Sequence, residues 1–473
     1  MAGVGFALER MTKGRSLSST AGAYVYAALL VAGPWIFTVL GIGGVGVVAC
    51  AAADCAGLQV FRTIIIYNSL TTAILTGPLA FVCTRFVSDR IWMKRYDSIT
   101  FAFVAAFAIF AAVALLTCAP FYLFLTDLSA AEVAAVLQNL VLMGAAWLLI
   151  PFIGATRGYL AISIAFAVGI AVTLVLLVLA PGESPGRLLS AFNAGLCIID
   201  FALAWQLTRE YGLALVPDRE LLRTAITYWE LPAIGGTFVL GLWIDKLIMW
   251  FAAPVGVSVV AQGLRTMPNY DTPMFWAQLA AIPIFAVFFV HVETNFFRLS
   301  RNFYGSLTRE VSRGRLVEMK VRMSNFVFAK ISGLFLSLAV IALIAILISF
   351  IAIEPLGLRA SQMSILRAGL AAMVFHTAAV FCFIFMLYFD LKRCALTISA
   401  TFLLLNGTLT AALMPLGFAF FGYGTLAASV ATLVVAIGVL GRELPWLDFH
   451  AFVTNNTSLR AGPRRRPGTT RAS

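Results

Sequence analysis

The chain has 473 residues, of which 61% are hydrophobic and only 11% are charged. A soluble protein carries about 25% charged residues, so this composition excludes an ordinary soluble enzyme or binding domain. The net charge of +12 would suit nucleic acid, but the Lys and Arg residues lie in short segments between long apolar stretches, as in the loops of membrane proteins. We therefore predict an α-helical protein that is embedded in the lipid bilayer and does not bind nucleic acid.

Twelve apolar stretches are long enough to cross the hydrocarbon core of a membrane, which takes about 20 residues. The first stretch has no small-residue cleavage site followed by polar sequence, so we interpret it as a retained helix. In chain order the predicted spans are residues 21–50, 60–84, 98–125, 131–156, 159–180, 188–208, 224–253, 269–292, 326–352, 364–389, 393–415 and 418–440.

The distribution of positive charge predicts the orientation of these spans. With the amino terminus in the cytoplasm, 27 of the 33 Lys and Arg residues fall in inner segments, five fall in outer segments, and Lys246 lies within a span. Because basic loops stay in the cytoplasm, we predict a multi-pass protein of the bacterial inner membrane with both ends inside. Residues 1–20 form the cytoplasmic amino terminus, and residues 441–473 form a basic tail that we expect to be disordered.

The polar segment 209–223 divides the twelve spans into two groups of six. Its mixture of charged residues and leucines predicts an amphipathic linker on the cytoplasmic surface. We predict an amino-terminal lobe over residues 21–208 and a carboxy-terminal lobe over residues 224–440, because transporters commonly pair two halves around a central site. The basic and aromatic segment 294–330 predicts amphipathic helices on the cytoplasmic face, which either anchor the protein on anionic lipid or dock a cytoplasmic partner.

Signatures of enzymes and metal sites are missing from the sequence. It contains no HExxH, GxSxG or P-loop motif, its three His residues are widely separated, and its seven Cys residues form no CxxC or Cys/His cluster. We therefore expect a protein that is not an enzyme and that holds no metal or cofactor. Cys50 and Cys55 alone are close enough in sequence for an outer disulfide, although isolated buried thiols fit the pattern better.

Charged residues inside the spans are the first candidates for function, because a charge at the bilayer centre costs about 3 kcal/mol. Asp245 and Lys246 lie together in the seventh span, with Trp243 and Trp250 spaced so that Lys246 can stack on either ring. Adjacent helical residues point about 100° apart, so both can face a central cleft only at its edges. The pair either contacts the translocated molecule or is satisfied by neighbouring helices.

Other polar candidates lie nearer the ends of spans, where a charged group costs less free energy and its side chain can reach the membrane interface. Asp200 lies near the predicted inner end of the sixth span, and Tyr270 and Asp271 begin the eighth span at its outer end. Glu293 closes the eighth span at the cytoplasmic mouth. His376 lies deeper, in the tenth span, and a lone His of this kind is more often a hydrogen-bonded core residue than a proton relay.

The second span carries a stripe of hydroxyl, amide and aromatic side chains. Such a stripe faces either a watery cavity or neighbouring helices, and these groups also suit the hydroxyls and flat C–H faces of sugars. The stripe comprises Thr63, Tyr67, Asn68, Thr71, Thr72 and Thr76. Arg62 precedes it, and Arg85, Asp89 and Arg90 follow it at the predicted cytoplasmic mouth, where they are candidates for gating.

Several blocks along nearly the whole chain resemble the PelG family, the polytopic subunits of the Pel exopolysaccharide system. Each block alone would be weak, but together they are specific. The matching blocks are MAGVGF at the start, AYVYA at 23–27, GPW at 33–35, TRFVSDR at 84–90, GLWIDK at 241–246, YDTPMF at 270–275 and VETNFF at 292–297.

The resemblance implies a member of the multidrug/oligosaccharidyl-lipid/polysaccharide flippase superfamily, with two six-helix lobes around a central cavity that opens alternately to either side. It also implies export of a nascent, hexosamine-rich polysaccharide for the biofilm matrix, together with a cytoplasmic glycosyltransferase and other membrane subunits of a Pel-type synthase. Two alternatives stay open. One is an ion-coupled antiporter of small molecules, or a flippase of lipid-linked oligosaccharides, and the other is a scaffold that assembles the synthase. The antiporter is disfavoured because the first span has no acidic residue.

Overall fold

The computed structural model describes residues 37–47, 56–154, 159–179, 184–307, 312–351 and 357–450. Within these ranges, eleven helices are long and apolar enough to cross a membrane, and a shorter apolar helix, α1 (Phe37–Val47), lies in the first predicted span. Most of that span, both Cys50 and Cys55, and the tail after residue 450 lie outside the described residues.

The first lobe contains α1 and five longer helices. Two helix starts are explained by the sequence: Ser129 and Glu132 form a reciprocal capping box, and Pro185 occupies a first-turn position that lacks a hydrogen-bonded N–H. The five helices are α2 (Ala56–Trp92), α3 (Ile99–Phe124), α4 (Ala130–Ile153), α5 (Tyr159–Leu179) and α6 (Pro185–Tyr211).

A short helix of the linker precedes the second lobe, whose second span is broken. This span has two helices, α9 and α10, and runs on into a π-helical turn (Val292–Phe296) before a cytoplasmic helix, α11. The helices are α7 (Glu220–Thr227), α8 (Glu230–Phe251), α9 (Pro268–Leu279), α10 (Ile282–His291), α11 (Phe297–Leu307), α12 (Arg313–Ile348), α13 (Met363–Tyr388), α14 (Lys392–Leu413), α15 (Tyr423–Glu443) and α16 (Leu447–Phe449).

Two predicted boundaries differ from the structure for the same reason. Helix α2 continues to Trp92 instead of ending at residue 84, and α12 begins at Arg313 instead of residue 326. Hydropathy marks only the part of a helix that lies in hydrocarbon, whereas intrahelical ion pairs such as Arg322–Glu318 support its polar extension into water. Part of the predicted surface segment 294–330 is therefore the cytoplasmic end of a span.

The linker between the lobes has an exposed apolar face. Leu222 and Ile226 lie on one side of α7 and are 64% and 69% exposed, while Leu221 is buried. The spacing of four residues places Leu222 and Ile226 on one helix face. The placement of the linker on the cytoplasmic surface stays a prediction.

An antiparallel β-hairpin joins α8 to α9. Strand β1 (Ser258–Val260) pairs with β2 (Leu264–Thr266), with Val259 opposite Arg265. Two residues of its turn, Ala261 and Gln262, have positive φ angles. The sequence analysis did not predict this hairpin, because strands of three residues are too short to show a period.

Among the described residues, a large hydrophobic core lies in each lobe. One is formed mainly by α1 to α6 and the other mainly by α9 to α15. The first core also includes Met249, Trp250 and Met274 of the second lobe. The lobes are therefore packed together at the ends of α8 and α9 that the charge bias places on the outer side.

Candidate functional site

Helix α2 of the first lobe and α8 of the second run antiparallel and touch along their length; we call this contact the α2–α8 seam. In the middle of the seam, Gly77 and Gly235 bring the two backbones together. An ideal Cβ on Gly235 would overlap the carbonyl oxygen of Gly77 and lie 2.6 Å from its carbonyl carbon. Small residues permit such close approach between membrane helices.

At the outer end of the seam, three aromatic rings are stacked across the lobes. The Tyr67 ring lies 5.2 Å from the Trp250 ring on one face and 6.2 Å from the Phe121 ring on the other, with interplanar angles of 13° and 10°. The Tyr67 hydroxyl donates to the carbonyl oxygen of Arg265 (2.8 Å) and accepts from its N–H (2.9 Å). Tyr67 thus joins the first lobe to both α8 and the hairpin.

Asp271 orients the outermost ring of this stack. Its Oδ2 atom accepts hydrogen bonds from the Trp250 indole N–H (2.8 Å) and the Met267 backbone N–H (2.9 Å). Its Oδ1 atom is buried and has no hydrogen-bond partner among the described residues. The sequence analysis named Asp271 but missed the role of Trp250, which depends on a contact with a different helix.

Asp245 and Lys246 form an ion pair inside the second lobe. The Lys246 Nζ atom lies 3.2 Å from Asp245 Oδ2, and the Tyr270 hydroxyl donates to the same oxygen at 2.7 Å. Asp245 is 1% exposed and Lys246 is 6% exposed, and the ammonium group lies over the Trp243 ring at 5.7 Å. Neighbouring side chains therefore satisfy the pair in this conformation, and contact with a translocated molecule stays a prediction.

A chain of asparagines crosses the interior of the first lobe. Asn68 donates to Asn139 (2.9 Å), Asn139 donates to Asn193 (2.8 Å), and the Tyr122 hydroxyl donates to Asn68 (2.8 Å). These residues belong to α2, α4, α6 and α3, so the chain ties four helices together. Asn68, predicted as a path residue, bonds to neighbouring helices in this conformation. Asn139 and Tyr122 could not be recognised from the sequence alone.

Most of the remaining hydroxyls of the α2 stripe donate hydrogen bonds to backbone carbonyl oxygens of α2 itself. Thr72 donates to the Asn68 carbonyl and Thr76 donates to the Thr72 carbonyl, both at 2.7 Å. Thr71 is half-buried. At the outer end, Arg62 is exposed and its guanidinium lies against α1, where a Cβ on Gly46 would come within 2.7 Å of it.

At the inner end of the seam, an ionic cluster links the lobes. Arg85 lies 3.0 Å from Asp89 and 3.1 Å from Asp390, and Lys392 lies 2.7 Å from Asp390. Both cations lie over the Tyr228 ring, with Arg85 Cζ 5.1 Å and Lys392 Nζ 4.7 Å from the ring centroid. We call these five residues the inner ion cluster. The gating candidates Arg85 and Asp89 thus meet the loop that follows α13.

Arg90 ties the end of α2 to the interlobe linker. Its side chain is buried and pairs with Asp218 and with Glu220, the latter at 2.7 Å. The side chain of Glu293, the other predicted mouth residue, lies outside the described residues, although its backbone belongs to the π-helical turn. The structure therefore brings Arg85, Asp89 and Arg90 together at one end of the seam.

Two buried titratable residues lie away from the seam contacts. Asp200 is 9% exposed, and neither carboxylate oxygen has a partner among the described residues. It lies within α6 (Pro185–Tyr211), and its place near the inner end of the span stays a prediction. His376 packs against the Phe402 ring at 4.2 Å, and its Nδ1 atom also has no partner in the described part of the chain.

Substitution of Asp390 tests the inner ion cluster. Asp390→Asn removes the charge contact with Arg85 between the lobes and the contact with Lys392 within the second lobe, and it preserves a residue that tolerates the φ of 57° at this position. We expect the open-to-closed ratio at the inner end to rise about fivefold, because partly exposed pairs of this kind contribute about 1 kcal/mol. Distances between spin labels at Ser88 and Thr397, both exposed, measure this population.

Glu318→Gln is the matched control, because its exposed pair with Arg322 lies within α12 and away from the seam. An unchanged distance distribution in Asp390→Asn would show that the cluster does not hold the inner ends together.

The eleven candidate spans of the described residues define a multi-pass membrane protein, and its fold is similar to that of solved MATE and MOP superfamily transporters. A crystal structure of MATE in the bent conformation superposes with a TM-score of 0.61 at 11% identity, covering 95% of this chain and 98% of that chain. An outward-facing multidrug resistance MATE family transporter gives 0.57 at 11% identity, covering 92% and 96%. A MOP superfamily transporter from Pyrococcus furiosus gives 0.60 at 11% identity, covering 90% and 96%.

The sequence identifies the family within this fold. The model of the PelG family, the exopolysaccharide exporters (EPS-E), matches residues 1–452, so the chain belongs to the PelG family. No curated protein sequence matches the chain. The family and fold confirm the resemblance, the mostly helical membrane fold with about twelve spans, and the prediction of a transport protein that is not an enzyme.

Proposed function

We propose that the chain exports a nascent, hexosamine-rich exopolysaccharide across the bacterial inner membrane to the periplasm for the biofilm matrix. The observation that carries this proposal is the α2–α8 seam, in which the lobes are held together by separate contacts at the two ends. A route between lobes needs contacts that open independently on either side. Membership of an exopolysaccharide exporter family supplies the class of cargo.

The side chains at the outer end of the seam suit a neutral, hydroxyl-rich polymer. Tyr67 and Trp250 offer flat aromatic faces, and Asp271 offers a carboxylate. The ion pair of Asp245 and Lys246 is internally neutral, so it adds no net charge to the path. We propose that these groups and Tyr270 line the path when the lobes separate.

Partners are the second part of the proposal. We propose that the polymer comes directly from a cytoplasmic glycosyltransferase, which acts with other membrane subunits of a Pel-type synthase. The cytoplasmic end of α12 and the adjacent α11 present exposed arginines, Arg301, Arg313 and Arg315, which supports either docking of such a partner or binding to anionic lipid. Charge reversal at these three positions, followed by affinity purification of the synthase, separates the two roles.

Inside-out membrane vesicles provide the test of export. With the synthase, this chain and radiolabelled nucleotide sugar, the polymer is expected to enter the vesicle lumen and resist an added glycosidase. Vesicles with the synthase but without this chain are expected to leave the polymer degradable outside. Equal protection with and without the chain would reject export, and with it the role of the seam as a route.

An ion-coupled transporter is the second candidate, and Asp200 is the observation that favours it. A buried carboxyl group without a partner inside a membrane helix is a recognised feature of ion pathways. If this function holds, collapse of the proton gradient stops transport in the same vesicles, and Asp200→Asn removes that sensitivity. Polymer export that is unaffected by the gradient would instead favour the first proposal.

A further inference from the structure

We infer that Tyr67, Trp250 and Asp271 form a sugar-binding site whose two aromatic faces are stacked on each other when the lobes are closed. The inference rests on the proposed export of a polysaccharide and names residues that would hold one sugar unit of the polymer. Its ligand is a pyranose ring, which has a flat C–H face and hydroxyl or amide groups at its edge.

Each ring of the Tyr67–Trp250 contact is held by its own lobe. Tyr67 of α2 is backed by Phe121 of α3, and both helices belong to the first lobe. Trp250 is fixed by its hydrogen bond to Asp271, and both residues belong to the second lobe. When the lobes separate, only the Tyr67–Trp250 contact breaks within the stack, so each lobe keeps one oriented aromatic face at the gap.

In the closed arrangement, both aromatic side chains are buried. Tyr67 is 8% exposed and Trp250 is 1% exposed, so separation would bring two large apolar faces into contact with water. Burying a flat C–H surface between them lowers that cost, because aromatic side chains bind through their large apolar area. Separation also frees the Tyr67 hydroxyl and the backbone groups of Arg265, which now bond to each other.

The edge of the stack carries an unused hydrogen-bond acceptor. Both hydrogen bonds to the Asp271 carboxylate go to Oδ2, and Oδ1 is buried without a partner among the described residues. A buried polar atom without a partner is costly and needs an explanation. Because this carboxylate also orients the Trp250 ring, a hydroxyl or amide N–H of a stacked sugar is a suitable donor.

Binding of a tetramer of N-acetylglucosamine to the full chain in lipid nanodiscs tests the site. We expect Trp250→Leu to bind about tenfold more weakly than the wild type, and Trp250→Phe, which keeps a flat face, to bind nearly as well. Trp205→Leu is the matched control, because Trp205 is 62% exposed on α6. A stack that only clasps the lobes predicts the opposite result, since loss of the clasp would leave binding unchanged or tighter.

Tyr67→Leu repeats the comparison from the other lobe, so the test stands even where one variant does not accumulate in the membrane. Equal or tighter binding by the leucine variants would overturn the site, as would a wild type that protects polymer in vesicles but does not bind the tetramer. Failure of the export proposal gives a different result from failure of the sugar site, because the polymer then stays outside the vesicles even with the wild-type chain.

Discussion

Lys246→Ala is expected to lower the free energy of unfolding by about 3–5 kcal/mol, because it leaves a buried carboxylate without its cation. Asp245 is 1% exposed, and the Lys246 ammonium is the partner that lies 3.2 Å from it. The Tyr270 hydroxyl stays bonded to Asp245, but one neutral donor cannot replace a positive charge. Thermal unfolding of the purified protein in detergent, followed by static light scattering, measures the loss.

The matched control removes both charges together. In Asp245→Asn with Lys246→Met, the Tyr270 hydroxyl can still donate to an amide oxygen, and no unpaired charge is left. Replacement of a whole buried ion pair is often neutral for stability, so the double variant is expected to unfold close to the wild type. A double variant as unstable as Lys246→Ala would show that the charge imbalance is not the cause of the loss.

The same double variant separates stability from transport. Normal polymer export at a normal protein level would remove Asp245 and Lys246 from the export mechanism and leave them as packing residues of the second lobe. Loss of export by a stable double variant would instead support contact between this pair and the polymer.

Features that depend on local composition could be predicted from the sequence. The apolar stretches and the loop charges predicted the helical membrane fold, and the cost of intramembrane charge directed attention to Asp245 and Lys246. These signals are additive along the chain and need no knowledge of tertiary contacts. The sequence left two alternatives for the pair, contact with the translocated molecule or satisfaction by neighbouring helices, and the spacing of adjacent residues could not choose between them.

Features that depend on contacts between distant residues could not be predicted. Arg85 was recognised, but its partner Asp390 lies 305 positions away and resembles any charged loop residue. Trp250 and Asn139 look like ordinary span residues until the helices that face them are known. The contact between Gly77 and Gly235 could not be predicted for the same reason, because neither glycine alone indicates that it faces the other.

Gly235→Ala is expected to force the lobes apart at the middle of the α2–α8 seam. The added Cβ would overlap the carbonyl oxygen of Gly77 and lie 2.8 Å from the nitrogen of Pro78. Both are backbone atoms, which cannot rotate away as a side chain can. Overpacking of this kind costs about 1–3 kcal/mol or more, and we expect both a lower unfolding temperature and a severe loss of polymer protection in the vesicle assay.

The adjacent residue supplies the control for this substitution. A Cβ on Gly236 would meet only the Pro78 ring, at an ordinary distance of 3.8 Å, and alanine favours a helix over glycine by about 1 kcal/mol. Gly236→Ala is therefore expected to be as stable as the wild type or slightly more stable, with normal export. Similar behaviour of the two variants would contradict a close backbone crossing at Gly235. A loss confined to Gly235→Ala would support the crossing as the fixed middle of the seam, between the aromatic stack and the inner ion cluster.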